Sequence, residues 1–251
     1  MKDTIKFVSL VVFGVALLTM PLYSQEALTG SEILRRMDAN ETFGTIAYSA
    51  TMTIDLGHRV LHKEMKTVAE SDKKAYVEFI NPEDQGTRYL KIEDEMWMYF
   101  PREQDTVKIS GHLLKEGMMG SDVSYEDALE NGKLEDSYTV EVLGQETVDG
   151  RAAWVLDLQA RTKTAPYNRQ KLWIDAERYV GIKAEMFAKS CKLIKESQVL
   201  EIQRFGERWF PTKSRVENKL RKGNGTIFEM TNIEFDKALP NNMFTLRRLT
   251  R

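Results

Sequence analysis

Ile46-Ala47-Tyr48-Ser49-Ala50-Thr51-Met52-Thr53-Ile54-Asp55-Leu56 decides the fold. Its even positions, Ile46, Tyr48, Ala50, Met52, Ile54 and Leu56, are apolar, and its odd positions are small or polar up to Asp55. A period of two means a strand with one face turned to a core and the other to water. Gly57 closes it, and Val60 to Ala69 reads as the return strand. Before it, Thr29-Gly30-Ser31-Glu32 has the spacing of a capping box, and Ile33, Leu34 and Met37 follow at helical intervals, so a short helix ending near Asn40 should pack on the sheet.

Downstream the strand signals continue. Ala75 to Ile80 ends at Asn81-Pro82, and Tyr89 to Ile92 turns through Glu93-Asp94-Glu95 into Met96-Trp97-Met98-Tyr99-Phe100. That last strand is apolar on both faces, so both should be covered, and the sequence leaves open which phase points inward. Gly111 to Asn131 loses the alternation and gains glycines, which suggests a loop with a short helix. Alternation resumes at Tyr138. Asp149-Gly150 marks a hairpin, and Trp154, Leu156 and Leu158 share one face. Further strands are expected at Lys171 to Asp175, Gly181 to Phe187, Leu193 to Phe205, Trp209-Phe210, Lys213 to Leu220 and Thr226 to Phe235, with an apolar tail over 239–246 docked on the body. Ten or eleven strands at this spacing suggest a sandwich or a barrel.

At the start of the chain, a charged stretch with Lys2 and Lys6 precedes an apolar run over 7–20 and then Pro21-Leu22-Tyr23-Ser24. This is the order of a cleaved secretory signal, too short to span a bilayer, so residues 1–24 are expected to direct export and 25–251 to form one domain. No cysteine stands at the junction. The single cysteine, Cys191, cannot staple the fold, and stability must come from a buried core. A net charge of −2 excludes the basic footprint of a nucleic-acid binder and a strongly basic membrane binder.

The residues give an enzyme little to work with. His58 and His62 are four apart but sit in a strand and turn, without the remaining ligands of a metal site, and His112 has no nucleophile or carboxylate beside it. Glu93-Asp94-Glu95 reads as an exposed turn, and Asp122, Glu126 and Asp127 as caps of a short helix. Asn224-Gly225-Thr226 matches a glycosylation acceptor, but a tight turn accounts for it. No catalytic residue, metal or cofactor is expected. The unusual feature is apolar: 12 Met, 9 Tyr, 11 Phe and 4 Trp. Methionine suits surfaces that accept variable apolar shapes, and a curved sheet enclosing more apolar side chains than a tight core needs would form a pocket. The expected pocket contacts are Met52, Ile54, Trp97, Tyr99, Trp154, Leu156 and Trp173, with Met118 and Met119 as a lid on their glycine-flanked loop.

Several stretches carry a family resemblance: 89–92 leading into Met96-Trp97-Met98-Tyr99-Phe100-Pro101, then Met118-Met119-Gly120-Ser121-Asp122-Val123-Ser124-Tyr125-Glu126-Asp127, Val148-Asp149-Gly150-Arg151, Leu172-Trp173-Ile174-Asp175 and Leu239-Pro240-Asn241-Asn242-Met243-Phe244. In this order, the chain resembles the LolA-like outer-membrane lipoprotein-sorting proteins, in particular the branch associated with envelope transporters. The resemblance implies an incomplete, strongly curved antiparallel β-barrel of about eleven strands with a few covering helices. It implies a non-catalytic periplasmic carrier, expected to be monomeric, that shields the acyl chains of a lipoprotein or lipid. An inner-membrane transporter of the resistance–nodulation–division type is the partner it implies. It further implies a buried arginine that holds a lid through helix backbone, for which Arg88 is one candidate. The rival reading is a periplasmic adaptor of such a transporter that carries no lipid; it expects a filled barrel interior and an exposed apolar patch.

Overall fold

The computed structural model describes residues 28–130 and 133–251. The expected signal peptide, 1–24, lies outside them. Thirteen strands form one antiparallel sheet: β1 (Thr45–Asp55), β2 (Val60–Glu70), β3 (Lys74–Phe79), β4 (Arg88–Ile92), β5 (Glu95–Phe100), β6 (Asp105–Ile109), β7 (Tyr138–Val148), β8 (Arg151–Ala160), β9 (Arg169–Asp175), β10 (Gly181–Phe187), β11 (Leu193–Phe205), β12 (Arg208–Asn218) and β13 (Gly225–Phe235). Their order across the sheet is β6-β5-β4-β3-β2-β1-β13-β12-β11-β10-β9-β8-β7, so the chain starts in the middle, meanders to one edge, crosses over and meanders back from the other. The sheet curls but does not close, because β6 and β7 do not pair. The incomplete barrel expected from the resemblance is therefore present, with thirteen strands in place of about eleven.

The inner face is covered from two sides. Helix α1 (Gly30–Glu41), capped by Thr29 Oγ1, which accepts from the Glu32 amide at 3.2 Å, buries Ile33, Leu34 and Met37 against Tyr138, Leu156, Leu158, Leu172 and Ile174. Truncating such a side chain, as in Leu34→Ala, costs about 2–5 kcal/mol through lost burial and the cavity left behind. The crossover 110–137 covers the other half. It forms two 3₁₀ turns, then α2 (Tyr125–Leu129) and α3 (Leu134–Ser137), and packs on Met52, Ile54, Met65, Phe79, Met96 and Met98. The outer face of β3–β5 lies under the C-terminal tail, which includes α4 (Leu246–Leu249) and buries Tyr76 and Leu90.

Local chemistry sets the joints. Asp149 and Gly150 both adopt positive φ, at 49° and 77°, as a two-residue hairpin with the right-handed strand twist requires. The segments expected at Trp209-Phe210 and 213–220 are one strand, β12. Pro211 does not break it, because it sits beside a bulge in β11 and β12 pairs with β13 only from Lys213 to Val216. The missing N–H thus falls where no ladder bond is made. Asn232, in the left-handed region at φ 54°, accompanies a register shift between β13 and β1, so Met230, Ile233 and Phe235 all pack on one face.

Candidate functional site

The crossover is a strap tied to the sheet by polar contacts on three sides. On one side Asp122 is 8 % exposed; its Oδ1 accepts from the Asn218 amide at 3.1 Å and its Oδ2 from the Thr226 hydroxyl at 2.7 Å. Arg221 donates to the carbonyls of Ser121 at 2.5 Å and Gly120 at 2.9 Å. In the middle, Asp127 closes a capping box with Ser124 and accepts from Lys195 of β11 and from the Tyr167 hydroxyl of the β8–β9 loop. Burial alone would raise the Asp127 carboxyl, but Lys195, Tyr167 and Ser124 outweigh it and hold it below the usual range. Burial and the Asp127 charge push the Tyr167 phenol up. On the third side Lys91 of β4, 8 % exposed, donates from Nζ to the Ala128 carbonyl at 3.0 Å and the Glu130 carbonyl at 3.5 Å. The last carbonyls of a helix lack partners within it, and a cation there satisfies them. Burial pushes the Lys91 ammonium down, against the pull of Asp72, Asp94 and Glu130.

The strap's path demands glycine at 117, where a Cβ would lie 1.9 Å from the Ser121 carbonyl oxygen. Met119 is held left-handed at φ 53°, and its sulfur accepts from the Tyr89 hydroxyl at 3.1 Å. The stretch 118–127, singled out in the sequence, therefore comprises the strap's turn and most of its ties.

Between strap and sheet lies an apolar cavity of about 360 Å³, walled by Ile46 and Tyr48 of β1, Thr67 and Ala69 of β2, Ala75 and Val77 of β3, Tyr89, Lys91 and Met96, and closed by Met118, Ala128, Phe210, Phe228 and Met230. Thr67 is 4 % exposed and sits opposite Tyr48 in the β1–β2 ladder, its hydroxyl beside the Tyr48 phenol. Phe43 and Phe210 also line a wider space of about 760 Å³, which includes Asp38, Glu41, Asp72, Glu130, Lys133 and Asp136. The apolar cavity thus meets an acidic vestibule at these two rings.

Glu41 is solvent-accessible at the end of α1, yet protein surrounds it, and desolvation together with the Asp38 charge pushes its carboxyl from an ordinary 4.5 up to about 7. Desolvation also raises Asp38 and Glu130. A carboxyl that holds its proton more tightly folded than unfolded stabilises the fold on the acid side, and that stability is lost as pH rises from the unfolded to the folded value. The difference in thermal midpoint between Glu41→Gln and the parent protein is therefore expected to grow in favour of the variant from about pH 4.5 to about pH 7. A constant difference across that window would contradict the assignment.

The expected contact residues fall on several surfaces. Met52 and Ile54 are fully buried beneath the strap, and Trp154 and Leu156 pack beneath α1. Trp97 and Tyr99 are on the outer face with the C-terminal tail, because it is the other phase of β5, Met96 and Met98, that points inward. Trp173 is also on the outer face, between the ammonium groups of Lys171 and Lys183 at 4.5 Å each, and its Nε1 donates to Glu146 at 2.7 Å. None of these seven lines the cavity. Met118 does, and Met119 packs on the adjoining core. Arg88 sits on the outer face, donating to Glu78 at 3.1 Å and to the Leu249 carbonyl at the end of α4 at 3.2 Å, so it meets helix backbone of the C-terminal tail; on the inner face, under the strap, the cation on helix backbone is Lys91. Its signal was a lone lysine alternating with Tyr89 on the inward phase of a strand apolar on both sides. Among the described residues no cluster of three or more His, Cys, Asp or Glu is placed to hold a metal ion.

One family model, described as "Uncharacterized protein"-like, matches residues 71–251. No curated protein matches the chain. Among solved structures, a DUF1329 family protein from Desulfovibrio piger is 27 % identical with a TM-score of 0.81, the match covering 88 % of this chain and 97 % of that one. An outer membrane lipoprotein-sorting protein domain from Vibrio parahaemolyticus is 23 % identical with a TM-score of 0.79 over 88 % and 98 %. A LolA superfamily protein from Nitrosomonas europaea is 19 % identical with a TM-score of 0.72 over 88 % and 99 %. The curled open sheet agrees with these likenesses: the fold is LolA-like, and the chain belongs to the family whose model matches residues 71–251.

Proposed function

We propose that this protein is a non-catalytic carrier in the periplasm that takes the alkyl chain of a lipid or lipoprotein into the cavity beneath the strap. One observation carries the reading: an apolar space between a rigid sheet and a covering segment held by polar ties. Each CH₂ moved from water into such a space is worth about 0.8 kcal/mol, enough for a chain of ordinary length to dwell there. A volume of about 360 Å³ is near the lower end of ligand sites, roughly 300–1,000 Å³, and suits one chain; a larger cargo requires the strap to lift. Lifting is feasible because Leu113, Leu114, Met118, Met119 and Leu129, which the strap packs on the core, would exchange one apolar partner for another. Hand-over to or from an inner-membrane transporter of the resistance–nodulation–division type belongs to the same proposal and supplies the work of opening.

Native mass spectrometry of the exported protein, purified without detergent, tests the reading. Lipid-sized adducts are expected, released on denaturation. A bare protein mass, with a transporter subunit recovered on cross-linking, would instead favour an adaptor that carries no lipid.

A further inference from the structure

The whole-chain balance of −2 hides a local excess of positive charge. On the outer face of β9–β12 the lysines are matched by carboxylates: Lys171 meets Glu146, Lys183 meets Glu185 and Glu196, and Lys213 meets Glu201 and Glu229. At the C-terminal tail the balance fails. Glu70, Glu78 and Glu95 of the neighbouring outer face already pair with Lys74, Arg88 and Lys108. Arg247, Arg248 and Arg251 are exposed, and among the described residues no carboxylate forms an ion pair with any of them. Their placement is fixed by the fold. Leu249 is fully buried with Tyr76 and Leu90, its carbonyl accepts from Arg88, and the Thr245 hydroxyl accepts from the Arg248 amide at 3.2 Å. With Leu249 turned inward, Leu246 and the arginines stand outward, Leu246 at 48 % exposure. Beside them the sheet presents rings under cations: Arg248 lies 6.0 Å from the Tyr76 ring, Arg88 5.6 Å from Tyr99 and Lys108 5.6 Å from Trp97.

We infer that this surface, made of Trp97, Tyr99, Leu246, Arg247, Arg248 and Arg251, seats on the anionic face of a phospholipid bilayer. Charge complementarity selects the occupant, because a sheet of phosphates supplies the counter-charge that the three arginines lack. Half-buried tryptophan and tyrosine suit a boundary that is apolar on one side and wet on the other. The leucine set among the arginines favours lipid over an acidic protein, since hydrocarbon lies directly beneath the phosphates of a bilayer. The seat is on the opposite face of the sheet from the cavity, so it goes beyond the carrier reading and stands without it.

Flotation of the whole protein with vesicles tests this, using phosphatidylcholine alone and equal parts of phosphatidylcholine and phosphatidylglycerol. At low salt, partition onto the mixed vesicles is expected to be at least about tenfold stronger than onto the neutral ones, and high salt should release the protein. Arg247→Gln/Arg248→Gln/Arg251→Gln should lower that partition at least about tenfold, with the thermal midpoint unchanged because the side chains are exposed. Arg247→Lys/Arg248→Lys/Arg251→Lys should restore most of it, and Leu246→Gln should lower it at unchanged charge. Ala69→Phe, which fills the cavity, should float as the parent does. Equal partition onto both vesicles, anionic binding that survives the triple glutamine substitution, or flotation lost in Ala69→Phe overturns the seat on the outer face. The last of these would show that lipid is met through the cavity, which keeps the carrier reading intact.

Discussion

Asp127→Ala is expected to destabilise the strap by about 3 kcal/mol, the cost of leaving a buried partner charge without its mate. Lys195 is 6 % exposed and Asp127 is the one carboxylate that pairs with it among the described residues. The substitution also leaves the Tyr167 hydroxyl and the Ser124 amide without their acceptor. Because these ties fasten the strap and not the β ladders, the loss should appear as local opening. Hydrogen exchange of backbone amides over 117–130 should accelerate on the order of a hundredfold, that of β1, β2 and β13 far less. Asp127→Asn is the milder control, since its one amide oxygen keeps an acceptor for Ser124 or for Tyr167 but not for both, and the charge opposite Lys195 is removed. If exchange in the strap is unchanged in both variants, the strap is held by apolar packing alone and the tie model is wrong.

The second large effect concerns the cavity itself. Ala69 lines it from β2, opposite Ile46 in the ladder with β1, and is 9 % exposed. Ala69→Phe places a ring in space the protein leaves open, so alkyl binding should fall by at least about tenfold while stability changes by no more than ~1–3 kcal/mol, the range for overpacking. Trp97→Ala is the contrasting substitution. Trp97, half-buried, packs on the outer face with Met243 and Phe244, so its loss should cost about 1–3 kcal/mol and loosen the tail, yet leave alkyl affinity unchanged in the folded protein. The reverse pattern, with binding lost in Trp97→Ala and kept in Ala69→Phe, would place the ligand on the other side of the sheet.

The contrast between these two positions shows how far the sequence could be read. The alternation from Ile46 to Leu56 correctly placed one face of β1 inward, and the capping box at Thr29 correctly started α1. Alternation identifies residues that share a face; it does not identify which face encloses empty space. In β1 the cavity lies at the Ile46–Tyr48 end, while Met52 and Ile54, of the same phase, are sealed in solid core. In β5 the outer phase is apolar because the C-terminal tail covers it, and in β9 because Trp173 packs there beside Val155 of β8 and Ile182 of β10, so Trp97, Tyr99 and Trp173 carried no mark of their true side. The vestibule was invisible for another reason. Asp38 and Glu41 come from α1, Asp72 from the β2–β3 turn, Glu130 and Asp136 from the strap region, and only the curl of the sheet gathers them. Lys91 was legible in principle, because a cation on the inward phase of an apolar strand needs a buried acceptor, here the carbonyls at the end of α2.

A crystal structure of the protein soaked with a straight-chain alkyl amphiphile brominated at its tail tests the central claim most directly, because anomalous scattering locates bromine without reference to the fold. The expected result is a single strong peak enclosed by Tyr48, Thr67, Phe228 and Met230 beneath the strap. Bromine found only on the outer face, or no bound bromine with the space filled by rearranged side chains, would contradict a chain-holding cavity.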